Sequence, residues 1–160
     1  MKNIFIDLDE TLFHTYNPFW GETPAKDAVE VDIGNNETYI VSLRKGAIKF
    51  LSEVRTRGNV YALTAATADY AAAMNRKFYL GFEHIFSREN TQSGQADSSF
   101  FLKGQTYLYD NLPKRENHSK LVWLRPLGNT IYIQVPEFYN NNKDSMTDEM
   151  ITNLVSKLND

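Results

Sequence analysis

The chain has 160 residues, a formal net charge of −3, 42% hydrophobic residues and no cysteine; a chain of that length buries one continuous core without disulfides, so a single domain over residues 1–160 is expected. The acidic balance, with a pI near 5.6, argues against a general polyanion binder. No run approaches the roughly 18 consecutive apolar residues of a bilayer span, and Asp7 interrupts the leading apolar run too early for a signal peptide, so a cytoplasmic protein with no membrane contact is expected.

In chain order, Ile4, Phe5, Ile6 and Leu8 form a short apolar run that ends in acids, the pattern of a strand buried on both faces of a parallel sheet. A loop rich in aromatics and containing Pro18 follows over 11–20. Segments 29–33 and 38–43 flank Gly34-Asn35-Asn36-Glu37, a hairpin signal. Ala47, Ile48, Phe50, Leu51 and Val54 recur at helical spacing, Gly58-Asn59 ends that helix, and 60–63 read as a second strand. A second helix is expected over 68–79, with Gly81 as its stop, 82–86 as a short link and 87–99 as a polar loop. Thr106, Tyr107, Leu108 and Tyr109 read as a strand running into Asp110 and Asn111, and 130–135 as one more before Pro136. Thr147, Met150, Ile151, Leu154, Val155 and Leu158 give an amphipathic C-terminal helix capped by Ser145 or Thr147. This alternation implies an α/β sandwich.

Asp7-Leu8-Asp9-Glu10-Thr11 sets two carboxylates two residues apart just past a buried strand, where extended geometry turns both to one side. Two anions that close require a cation or a shared proton. The carboxyl ends of strands in open α/β sheets are also where ligands bind. Acids after a strand can instead cap a turn, a lone Thr can cap a helix, and Asp-Asn is a common turn. Against those readings, Leu63-Thr64-Ala65 and Tyr109-Asp110-Asn111 bring a hydroxyl and a third acid to the ends of two more expected strands. Three polar strand ends in that order point to one shared site.

The run Phe5-Ile6-Asp7-Leu8-Asp9-Glu10-Thr11-Leu12 resembles the first motif of the haloacid dehalogenase superfamily, in the form found in the small C-terminal-domain phosphatases. Val29-Glu30-Val31-Asp32 with Tyr39-Ile40-Val41 resembles the hairpin that follows this motif. Arg44-Lys45-Gly46 with Phe50-Leu51 resembles the Arg-Pro-Gly helix entry, with Lys45 standing in place of Pro. Leu63-Thr64-Ala65 with Asp69-Tyr70-Ala71 resembles the second motif, and Asp110-Asn111 the fourth. The third motif, a lysine on a helix ahead of the last acidic pair, falls on Lys103 or on Arg88.

The resemblance implies a three-layer α/β sandwich around a central, mostly parallel sheet, with a small β-hairpin insertion after the first strand and no large cap domain. It also implies a Mg²⁺-dependent phosphomonoesterase with Asp7 as nucleophile and Asp9 as general acid and base. Asp7 and Asp110 would give side-chain oxygens to the metal and Asp9 its backbone carbonyl, with Asn111 beside them. Thr64, Lys103 and Thr11 would bind the phosphate.

The gap between the first motif and Leu43 holds a hairpin but no lid, so an open site is expected. By the family resemblance a phosphoserine or phosphothreonine peptide is the leading substrate class, and a nucleotide or nucleic-acid end is the alternative. A non-catalytic binding module of the same fold is the reading from another class; the intact Asp7, Asp9, Thr64 and Asp110 speak against it. Phe13, Tyr16, Phe19 and Trp20 either grip substrate or pack the hairpin onto the core. His14, His84 and His118 lack metal-site spacing and read as surface or packed residues. No Gly-x-x-x-x-Gly-Lys loop supports P-loop nucleotide hydrolysis. The sequence is silent on oligomeric state.

Overall fold

The computed structural model of the chain describes residues 2–91, 104–139 and 143–159. Strand β1 (Lys2–Ile6) is followed by β2 (Phe13–Thr15), β3 (Val29–Gly34), β4 (Glu37–Leu43), α1 (Ala47–Arg55), β5 (Asn59–Leu63) and α2 (Ala68–Lys77). Then come β6 (Ile85–Phe86), α3 (Arg88–Thr91), β7 (Gln105–Asp110), α4 (Ser119–Leu124), β8 (Thr130–Gln134) and α5 (Asp148–Ser156).

Because successive side chains of a strand point to opposite faces, β1 feeds two separate cores. Ile4 and Ile6 enter a large cluster with Phe50 and Val54 of α1, Met74 of α2 and Leu154 of α5. Phe5 enters a smaller cluster on the other face with Tyr61, Leu108 and Leu124 of α4. The helices therefore sandwich a five-stranded sheet of order β6-β5-β1-β7-β8 in which every pairing is parallel. This is the α/β sandwich that the alternation of elements implies, in the three-layer form that the family resemblance implies.

The insertion is a second sheet of order β2-β4-β3, with antiparallel pairings. Asn35 and Asn36 both adopt positive φ, 54° and 62°, as a tight two-residue hairpin turn requires. Strand β2 falls where a loop was expected. Three residues carry no readable alternation, and this strand is specified by its partner, with Phe13 opposite Leu43 and Thr15 opposite Val41. For the same reason the expected link 82–86 contains the two-residue strand β6.

Entry to α1 depends on Gly46, whose φ is 90° and where a Cβ would lie 2.2 Å from the Met146 carbonyl oxygen. The buried Arg44 guanidinium beside it donates to the carbonyls of Thr11 at 3.0 Å, Pro136 at 2.7 Å and Asp144 at 2.6 Å. One side chain thus ties the turn after β1 to the segment after β8. Thr147, not Ser145, caps α5, its hydroxyl accepting from the Met150 amide at 3.2 Å. Helix α4, absent from the expected elements, spans only six residues, too few for a periodic signal; the His118 side chain caps it by accepting from the Lys120 amide at 3.2 Å.

Candidate active site

Strands β5, β1 and β7 are neighbours, so their carboxyl ends open side by side. Asp7 directly follows β1, Thr64 directly follows β5, and Asp110 closes β7. The Asp7 amide continues the ladder by donating to the Tyr109 carbonyl at 2.9 Å. Past it the chain turns sharply: Thr11 and Leu12 amides both return to the Leu8 carbonyl, and Glu10 sits at φ 60°. That turn brings the Thr11 hydroxyl back onto Asp7 Oδ2 at 2.9 Å.

Asp7 is 5% exposed and Asp110 fully buried, and between them lies the ammonium of Lys120, 2.6 Å from Asp7 Oδ1 and 2.8 Å from Asp110 Oδ2. Asp110 Oδ1 accepts from the Leu112 amide at 2.9 Å. With its amide nitrogen turned inward, Asn111 donates to Asp7 Oδ2 at 2.7 Å and to the Asp9 carbonyl at 3.3 Å. Asp9 stands at the rim, half-buried, with Oδ1 accepting from the Tyr70 hydroxyl at 2.6 Å. Thr64 is buried at the same edge, and its hydroxyl oxygen also accepts from the Ala66 amide at 3.0 Å.

Burial dominates the electrostatics. It pushes the Asp7 carboxyl up to about 7, with Asp110 and Asp9 adding to the rise and Lys120 working against it. Burial likewise raises Asp9 to about 6, where the Tyr70 hydrogen bond opposes the shift and Glu10 adds to it. For Lys120 burial pulls downward, but Asp7 and Asp110 outweigh it and the ammonium stays charged.

Two carboxylates here face a single ammonium, which leaves the pocket receptive to a further cation. Among the described residues no group of three or more His, Cys, Asp or Glu side chains is arranged to hold a metal. The donors available are the Asp7 and Asp110 oxygens and the Asp9 carbonyl, with Asn111 against both aspartates of the first motif. A few oxygen ligands, the rest left to water and substrate, is what Mg²⁺ accepts, and the residues present fit that ion.

The structure thus brings together Asp7, Thr11, Asp110 and Asn111, with Asp9 and Thr64 on the same edge. Arg88 does not join them. Its side chain is exposed and Nε donates to the Ala65 carbonyl at 2.9 Å, so it is not the cation at Asp7. Lys103 lies outside the described residues. Lys120 is not among the residues expected from the sequence, because the third motif places its lysine ahead of the last acidic pair and this one follows it. The available signal was topological: the helix after a parallel strand begins at that strand's carboxyl edge, and Lys120 is in the first turn of α4.

The aromatic cluster divides. Phe13 and Tyr16 are buried, whereas Phe19 and Trp20 are 95% and 78% exposed on a groove that also includes Asp9, Glu10, Tyr39 and Ile40. His14 is packed, with Nε2 2.7 Å from Glu22 and Nδ1 3.4 Å from Glu10.

The parallel sheet, the strand-end carboxylates and the antiparallel insertion match the class that the first motif resembles, the haloacid dehalogenase superfamily. The family model described as NLI interacting factor-like phosphatase matches residues 2–159, and the chain belongs to that family. No curated protein matches it. Among solved structures, that of Fcp1, an essential RNA polymerase II CTD phosphatase, is similar over 98% of this chain at 19% identity with a TM-score of 0.57. The structure of fission yeast Fcp1-R271A bound to beryllium fluoride is similar over 98% at 17% identity with a TM-score of 0.55. The chain spans 48% and 50% of those two proteins' lengths, and at these identities the likeness concerns the fold.

Proposed function

We propose that the protein is a Mg²⁺-dependent phosphomonoesterase that moves a phosphoryl group from its substrate to Asp7 and then to water, acting on phosphoserine or phosphothreonine in a polypeptide. The observation that carries this reading is the buried Asp7 carboxylate, gripped on one oxygen by Lys120 and on the other by Thr11 and Asn111. Such restraint orients a nucleophile.

In the first half-reaction an Asp7 oxygen bonds to phosphorus as the bond to the leaving oxygen breaks, and Asp9 gives its proton to that oxygen. In the second, Asp9 takes a proton from the attacking water as the aspartyl phosphate opens and Asp7 is released. Burial pushes the Asp9 carboxyl above the usual carboxylate range, the direction that an acid and base working near neutral pH needs. Thr64 donates its hydroxyl hydrogen to a phosphoryl oxygen, and Lys120 offsets negative charge beside Asp7. Asp7, Asp110 and the Asp9 carbonyl would hold Mg²⁺, which would supply charge neutralisation between the anionic nucleophile and the anionic phosphate.

A polypeptide is favoured over a nucleic-acid end by the walls around Asp9. The two cavities that share it also carry Glu10, Glu22, Glu37, Asp69 and Glu89 against the single cation Arg88 among the described residues, a net acidic field that opposes a polyanion. The Fcp1 structures offer a precedent in a phosphatase of a protein domain.

The test is p-nitrophenyl phosphate hydrolysis by wild type and Asp7→Asn, with Mg²⁺ or with EDTA. Metal-dependent turnover lost in the variant is expected. Wild-type-like turnover by Asp7→Asn would remove Asp7 as nucleophile.

A further inference from the structure

The roles assigned above leave one polar chain unused. The Tyr70 hydroxyl lies 2.6 Å from Asp9 Oδ1 and 2.6 Å from the Thr15 hydroxyl. A phenol has one hydrogen, and Asp9 Oδ1 is its acceptor, so Thr15 must donate its own hydrogen to the Tyr70 oxygen. The chain therefore has a direction, from Thr15 on β2 through Tyr70 on α2 to Asp9. Asp9 Oδ2 accepts no hydrogen bond from the described residues.

Tyr70 is itself held on several sides. Its amide donates to the Thr67 cap at 3.4 Å, which fixes its place in the first turn of α2. Its ring meets Phe13 of β2 at 6.2 Å between centroids and Tyr39 of β4 edge-on at 5.7 Å. The phenol is thus oriented by the insertion sheet on one side and by α2 on the other, and it points at the one acid in the site that the lysine does not touch.

We infer that Tyr70, oriented by Thr15, is a positioning residue for Asp9: it pins Oδ1 and so leaves Oδ2 as the oxygen that exchanges a proton with the leaving group and with water. Asp9 stands at an open rim, where an unrestrained carboxyl would sample several rotamers and offer its proton to solvent as often as to substrate. The inference rests on the acid role of Asp9 proposed above. It adds that the insertion sheet, through Thr15, supports the chemistry directly and does more than shape the groove.

The experiment compares kcat/KM across a series of substituted phenyl phosphates, because p-nitrophenolate departs without a proton and phenolate does so poorly. For Tyr70→Phe the expected loss is about tenfold or more on phenyl phosphate and much smaller on p-nitrophenyl phosphate, a fraction of what general acid catalysis supplies. Thr15→Val is expected to shift the series in the same direction. In an Asp9→Asn background neither substitution is expected to lower the rate further.

Equal losses across the series, no loss at all, or additive losses in the Asp9→Asn background overturn the positioning role. If Asp9→Asn itself shows no dependence on the leaving group, it is the acid role of Asp9 that fails, and this inference falls with it.

Discussion

Lys120 Nζ lies 2.6 Å from Asp7 Oδ1 although the two residues are far apart in the chain, and it reaches Asp110 Oδ2 at 2.8 Å with the same nitrogen. A charged lysine between two buried carboxylates balances part of their repulsion and holds the first aspartate in one orientation. Lys120→Met is therefore expected to lower kcat by about a hundredfold or more, the scale of losing one charge-stabilising donor. Arg88→Ala, whose exposed side chain donates to the Ala65 carbonyl and does not meet Asp7, is expected to stay near wild type. A larger loss in Arg88→Ala would reverse the assignment, and Lys103→Ala measured alongside separates the remaining candidate cation from both.

Removing the metal gives a second expectation. EDTA should end turnover, and added Mg²⁺ should restore it. Because a ligand that binds only the folded state stabilises it, Mg²⁺ should also raise the melting temperature of wild type. Asp110→Asn, which removes one of the two carboxylates, should show a much smaller rise. An equal rise in both would place the ion somewhere else.

His14 makes stability depend on pH. Burial pulls its pKa down, but hydrogen bonds and charge from Glu10 and Glu22 outweigh it, so the folded value lies above the ordinary 6.5. A raised folded pKa means that the protonated ring binds its partners in the native state. Its stabilisation is complete below pH 6.5 and fades as the pH rises through the folded value. The difference in urea midpoint between wild type and His14→Gln is expected to shrink over that window. A difference that grows with pH would contradict the two-glutamate arrangement.

Phe19 and Trp20 stand in solvent beside Asp9, so they contribute little to folding. Phe19→Ala and Trp20→Ala are expected to change stability by no more than about 0.5 kcal/mol. If the groove takes the flank of a phosphopeptide, KM for a phosphoserine peptide should rise several-fold while p-nitrophenyl phosphate, too small to reach them, is unaffected. Unchanged KM for every peptide tried would make these rings bystanders.

Much of this protein is written locally. The apolar run 4–6 ending at Asp7, and the polar ends at Thr64 and Asp110, are legible because a parallel strand is apolar along its length and exposes only its carboxyl end. The Asn35-Asn36 turn is legible because few residues tolerate two successive positive φ values. Those patterns are enough to anticipate a parallel sheet and a hairpin and to set Asp7, Thr64 and Asp110 at one edge, whereas the places of Thr11 and Asn111 in the site come from the family resemblance. Three features were not legible: the strand at Phe13–Thr15, the short helix at Ser119–Leu124, and with that helix the identity of the lysine between Asp7 and Asp110. The Tyr70 bond to Asp9 belongs with them. Each is specified by a partner distant in the chain, whether a paired strand, the edge of a sheet or a hydroxyl on another helix. Periodicity and propensity carry information over a few residues; which lysine meets which aspartate is decided only when crossovers close and the buried charges must find one another.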